Sequence, residues 1–216
     1  MQNSVTSRSK EEDNRYSVLS GAYGLLAVGL AIMAIVTYSM IGVNIGLWPS
    51  IGVIVATFIL LFIVMYFKNS VIGLFAFFGF CALIGIGFAP SITHVLKMAD
   101  GMTILVQTLV LTSAITFAMS VYAMVTKRNL SWLGGFLFAG LVIVIVSMVL
   151  NLFIHSSILG LVYAIIGAFV FSGYILYDTK NIVDKKITTP IEGALCLFLD
   201  IINLFQSLLN ILTRTK

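Results

Sequence analysis

Two aspartates, Asp178 and Asp200, stand within apolar sequence in the stretch Phe171–Asn210, with a short basic segment between them. Ionisable side chains at membrane depth are costly and mark function. Two carboxyl groups in one low-dielectric site cannot easily both ionise, so a facing pair would share a proton. At low pH the shared hydrogen bond would tie two helices together. As pH rises the pair gains charge, repels, and either parts or recruits a cation. All-oxygen ligands favour Ca²⁺ or another hard ion over zinc. Ca²⁺ takes about six to eight oxygens. Two carboxylates, supplemented by the Asn203 amide, backbone carbonyls and water, would hold it weakly, as a permeation path requires. A structural pair, or two caps at the membrane edge, is the plainer alternative.

The facing geometry follows from position. Asp178 closes one apolar run and Asp200 lies about ten residues into the next, with Pro190 the only proline between them. In an antiparallel hairpin turning near Thr189-Pro190, residues equidistant from the turn share a depth. The second helix is also striped. Asp200, Asn203, Ser207 and Asn210 recur at helical spacing on one face, with Gln206 at its margin and Leu, Ile and Phe opposite. Such a face belongs in the bundle interior, against the sixth helix or water, where Asn203, Ser207 and Asn210 would line a pore. A stripe that only binds helices together is the alternative for the Asn and Ser members.

The elements that must position these groups are membrane spans. With 60% hydrophobic residues, 9% charged and a mean hydropathy of +1.12, the chain lies outside the soluble range and reads as polytopic. Seven runs reach the ~20 residues needed to cross the hydrocarbon: Val18–Ile41, Leu47–Phe67, Val71–Ala89, Met102–Val125, Trp132–Ile154, Ile158–Tyr177 and Ile191–Leu212. The expectation is an all-α integral membrane protein, a seven-transmembrane-helix domain over 18–212. A polar arm, 1–17, flexible or amphipathic, precedes it, and a short basic tail, 213–216, follows. The first run is too long for a signal-peptide core and lacks a small-x-small cleavage site, so it is kept as an uncleaved span.

The net charge of +4 reflects topology and gives no reason to expect nucleic acid as a partner. With the N-terminus in the cytoplasm, Arg8, Lys10, Arg15, Lys68, Lys127, Arg128, Lys180, Lys185 and Lys186 fall inside. Lys97, Arg214 and Lys216 fall outside. A re-entrant last segment, returning the tail to the cytoplasm, is the alternative. Gly79, Gly85 and Gly87, then Gly134, Gly135 and Gly140, then Gly160, Gly167 and Gly173 would allow close helix approach, and Gly42-x-x-x-Gly46 reads as a turn. Cys81 and Cys196 lie in apolar runs and read as buried hydrophobes. His94 and His155 fall in outer connections, Gln107, Asn44 and Asn151 lie near span ends, and the methionines read as packing. No Ser/His/Asp or Cys/His set is assembled, so an enzyme is not expected.

The segments Phe-Ser-Gly-Tyr-Ile-Leu-Tyr-Asp (171–178) and Leu-Phe-Leu-Asp-Ile-Ile-Asn-Leu-Phe (197–205) closely resemble the last two helices of bacterial members of the transmembrane Bax inhibitor-1 motif family. The resemblance covers nearly the whole chain and implies a seven-helix bundle with the last helix central, acting as a pH-sensitive calcium leak. It implies that Asp178 and Asp200 form the proton-sensing pair, with Ca²⁺ as the transported or transiently bound ion and no resident cofactor. Relatives carry basic residues at the inner end of the second helix, one of which pairs with the aspartates. Here Lys68 is the only candidate for that latch. They also place a glutamate in the second span, which Leu47–Phe67 lacks. The expected setting is the lipid bilayer of the bacterial inner membrane, and a monomer is expected.

Two rivals are set beside the channel. One is a non-conducting regulator that binds a membrane protease or a stress or cell-death partner, as some relatives are thought to be. The other is a presenilin-type intramembrane aspartyl protease, whose paired acids also share a proton. That family has Gly-x-Gly before its second aspartate where this chain has Leu197-Phe198-Leu199, and the chain holds no Pro-Ala-Leu motif.

Overall fold

Seven helices follow one another: α1 (Gln2–Ser39), α2 (Leu47–Tyr66), α3 (Val71–Leu96), α4 (Gly101–Val125), α5 (Ser131–Ile154), α6 (Ser157–Val183) and α7 (Pro190–Arg214). This computed structural model describes residues 2–215, with side chains from Ser17 onward. The side chains of the polar arm, including Arg8, Lys10 and Arg15, and the tail residue Lys216 lie outside the described residues. Every helix contains a stretch long and apolar enough to cross a bilayer, and no strand occurs among the described residues. The chain is an all-α integral membrane protein.

Two connections differ from the hydropathy reading. The expected break at Pro90–Gly101 begins seven residues later, because α3 continues through Pro90 to Leu96 and takes in His94. Proline removes one backbone donor. In a packed membrane helix that loss is tolerated, and three residues on the Thr93 hydroxyl donates back to the Ala89 carbonyl at 2.7 Å. The sixth helix likewise passes Asp178 and runs on to Val183, through a polar segment whose Thr179, Lys180 and Asn181 are all buried. Between α1 and α2 the chain turns at Gly42 and Gly46, with φ of 78° and 70°. Those left-handed conformations cost a side-chain-bearing residue far more than glycine.

The chain divides into two compact units, Met1–His94 with Ile182–Phe198, and Val95–Asn181 with Leu199–Lys216. In the first, α1 and α3 run together. The Thr37 hydroxyl donates to the Gly85 carbonyl at 2.9 Å, and a Cβ on Gly29 would lie 2.9 Å from Cys81 Sγ. Phe77 and Phe80 pack edge-on against Phe198 at the start of α7, each with ring centroids 6.0 Å apart. In the second unit α5 and α6 are antiparallel and meet through glycines. A Cβ on Gly134 would lie 2.6 Å from the Tyr177 hydroxyl, one on Gly140 2.6 Å from Val170, and one on Gly173 2.6 Å from Leu137. These small residues bring the backbones together where lipid gives no hydrophobic drive.

The last helix is the most buried of the seven, with half of its apolar window inside the protein. It runs antiparallel to α6. A Cβ on Gly167 would lie 2.7 Å from Ser207 Oγ, and Gly160, one heptad nearer the start of α6, faces Arg214. Arg214 also donates to the Ser157 carbonyl at 3.1 Å. The end of α7 thus lies beside the beginning of α6.

Candidate functional site

Asp178 and Asp200 approach each other across the antiparallel α6–α7 pair, close enough for their carboxyl groups to interact. Both lie in the second compact unit. Asp178 is five residues from the end of α6 and Asp200 ten from the start of α7, so each is within helix rather than at an edge. Asp200 is 6% exposed, and its Oδ2 is buried with no hydrogen-bond partner. Carboxylates are acceptors only. A hydrogen bond between two carboxyl groups would therefore need a proton.

Three neighbours on α6 shape this site. Asn181, three residues beyond Asp178 and buried, directs its Nδ2 to Asp178 Oδ1 at 3.5 Å. Tyr174, one turn before Asp178, lies near enough to feel the charge of both acids. Lys180 Nζ donates at 3.0 Å to the carbonyl of Thr126, the residue that caps the C-terminus of α4. A cation at a helix C-terminus meets unsatisfied carbonyls and the negative end of the macrodipole. Sequence reading assigned Lys180 and Asn181 to a basic connection, so both were missed. The spacing Tyr174, Asp178, Asn181 was the available signal, since those positions share a helical face once α6 is extended.

The polar stripe of α7 is present, and two of its members, Asn203 and Ser207, donate within their own helix. Asn203 Nδ2 donates to the Leu199 carbonyl at 2.7 Å, and the Ser207 hydroxyl to the Asn203 carbonyl at 2.8 Å. Ser207 packs on Gly167 of α6, and Asn210 is half-buried one turn further on. A second stripe went unnoticed. Thr108, Thr112, Thr116 and Ser120 recur every four residues along α4. Thr108 and Thr112 bond back to carbonyls four residues earlier, at 2.7 and 2.8 Å, while the Thr116 hydroxyl is buried without a partner.

Lys68 forms an ion pair with Glu192 in the first turn of α7, at 2.8 Å. Its partner is thus an acid that sequence reading left unassigned, and not one of the two aspartates for which it was the latch candidate. Among the described residues no three His, Cys, Asp or Glu side chains gather into a metal-binding group. The carboxyl pair alone would supply acidic ligands to a cation, with amide, carbonyl and water oxygens filling the shell.

These features define a seven-span membrane protein with a carboxyl pair held between its last two helices. A family model described as "Inhibitor of apoptosis-promoting Bax1" matches residues 15–216, and the chain belongs to that family. It is similar to an uncharacterised membrane protein of Vibrio cholerae, 36% identical over 90% of this chain and 88% of the relative. It is 31% identical to the Modulator of FtsH protease YccA of Escherichia coli, over 91% of this chain and 90% of that protein. A further match, to an uncharacterised protein of Campylobacter jejuni, is 41% identical over 67% of this chain, which spans 63% of that relative.

Proposed function

We propose that the protein is a pH-sensitive calcium leak of the bacterial inner membrane, gated by Asp178 and Asp200, with its N-terminus in the cytoplasm. The observation that carries this reading is the approach of two carboxyl groups on different helices, with Asp200 buried and its Oδ2 without a hydrogen-bond partner. With a shared proton present the pair fastens α6 to α7. When it leaves, two negative charges face each other in a site of low dielectric, and the helices part or admit a cation. Separated carboxylates with Asn203 and water would bind Ca²⁺ weakly enough to release it. The polar face of α7, carrying Ser207 and Asn210, would continue the path. The test is Ca²⁺ flux into proteoliposomes between about pH 5 and about pH 8. Flux should rise with pH in the wild type and lose that dependence in Asp200→Asn. Wild-type flux no greater than that of protein-free vesicles across the range would refute the reading.

A second reading is favoured by one comparison, the relative named as a modulator of FtsH protease. Here the chain conducts nothing and regulates a membrane protease or a stress partner. It predicts copurification of one stoichiometric membrane partner together with an absence of Ca²⁺ flux, and flux without a partner would exclude it. Family membership and that name point away from the intramembrane aspartyl protease.

A further inference from the structure

The polar face of α7 does not stop at Asn210. Asp200, Asn203, Ser207, Asn210 and Arg214 follow one another at spacings of three, four, three and four, so Arg214 closes the same face. The residues opposite on α6 are glycines. Gly167 lies against Ser207, and Gly160, seven residues earlier, lies against Arg214, seven residues later. A Cβ on Gly160 would come within 2.5 Å of Cζ and Nη2 and 2.7 Å of Nη1, so the whole guanidinium rests on bare backbone. Its Nη1 also donates to the Ser157 carbonyl at 3.1 Å. The acids of α6 and α7 are Asp178, Glu192 and Asp200. Glu192 pairs with Lys68, Asp200 is about 21 Å away along α7, and among the described residues no carboxylate pairs with Arg214.

We propose that Arg214, seated on Gly160 and Ser157, is the electrostatic barrier of the conducting face, slowing Ca²⁺ at the end of α7 remote from the acid pair. This rests on the reading of the protein as a calcium leak. A fixed arginine in a polar passage repels cations, as in pores that exclude them, and the repulsion is strongest where water is scarce. Arginine suits the position better than lysine. Its planar group lies flat on a glycine and is held in place by a directed hydrogen bond, whereas an ammonium is a compact charge on a mobile stem. A cation in the last turn also complements the helix macrodipole. That plainer role would leave the traffic of charged solutes past Asn210 indifferent to Arg214, and on this point the two roles separate.

The experiment uses full-length protein in liposomes, with Cys81→Ala and Cys196→Ala as background and Asn210→Cys, one turn before Arg214, as reporter. Two small thiol reagents of opposite charge, trimethylammonium-ethyl and sulfonato-ethyl methanethiosulfonate, are applied at a fixed pH of about 8, where thiolate is available. With Arg214 in place the anionic reagent should react faster. Arg214→Gln should speed the cationic reagent and slow the anionic one, raising the ratio of their rates by about threefold or more. Arg214→Lys should keep the ratio nearer the wild type. A ratio unchanged in Arg214→Gln overturns the proposal, as does one that Arg214→Lys alters equally. Both rates rising together means a loosened helix end and overturns it too. In protein with its native cysteines and Asn210, Arg214→Gln should raise Ca²⁺ uptake by about threefold or more at the same pH, and uptake unchanged or lower counts against the barrier. Wild-type uptake no greater than that of protein-free vesicles refutes the leak itself, and the reagent ratio still decides whether Arg214 guards this face.

Discussion

Asp200→Asn isolates charge from shape, because the amide keeps the size and hydrogen-bonding reach of the acid. Closed and doubly ionised, two carboxylates about 4 Å apart repel by on the order of 4 kcal/mol at an effective dielectric of about 20. With one proton between them, the charged hydrogen bond instead favours closure by about 1.5–3 kcal/mol. Loss of the proton therefore swings the balance by about 6 kcal/mol. Moving a two-state equilibrium from about 99% closed to 99% open takes about 5.5 kcal/mol, so one titration is enough to work the latch. In the proposed gate the sign follows from linkage: a closed state that binds more protons than the open state would be favoured by acid and opened by base. In Asp200→Asn the Asn Nδ2 donates to Asp178 at any pH, and no second charge develops. The swing then falls below about 1.4 kcal/mol, a tenfold effect at most. Calcium uptake reported by a dye inside the vesicles should rise steeply with pH in the wild type and by less than about tenfold in the variant. A variant that keeps the full wild-type pH ratio would refute the repulsion argument, whatever its absolute flux.

Gly140→Leu should lower thermal stability in detergent by about 1–3 kcal/mol, because its side chain must displace Val170 from a site where even a Cβ would approach to 2.6 Å. Gly135→Leu, where a Cβ meets nothing within 4 Å, should cost much less, and equal losses at both positions would contradict the α5–α6 packing. Lys68 and Glu192 are each about a third exposed. A double-mutant cycle on Lys68→Ala and Glu192→Ala should give a coupling of about 1 kcal/mol or less that shrinks as salt is added. A large, salt-insensitive coupling would mean that the pair is buried in the membrane-embedded protein.

The seven spans were legible because each carries enough apolar residues to cross a bilayer, and that signal survives any packing. The face-to-face aspartates were legible from their equal distance from the turn near Pro190, although α6 proved one and a half turns longer than hydropathy implied. Helix continuation through Thr179–Val183 was hidden because polar residues read as a loop until their partners are known. Lys180 finds its acceptor at Thr126, 54 residues away, and no local pattern announces such a pairing. Pro90 misled in the same way. It marks a boundary in soluble chains, whereas α3 carries it inside the helix. Lys68 was noticed as a lone cation near the right end of α2, but the acid it meets is set by how α7 begins, through Glu192.

The self-satisfied stripe on α7 changes what a polar membrane helix implies. Had Asn203 and Ser207 bonded across to α6, each such link would add about 0.6 kcal/mol to closure at every pH. Several together would hold the helices shut against the repulsion of the acids. By returning their donors to Leu199 and Asn203, these side chains remove that pH-independent cost of opening. They leave carbonyl and amide oxygens along the face that a partially dehydrated cation would meet. Under the proposed gating, the polar resistance to opening would then be concentrated at Asp178 and Asp200. Converting Ser207 to a residue that hydrogen-bonds across the interface should therefore weaken the pH response more than it weakens the fold.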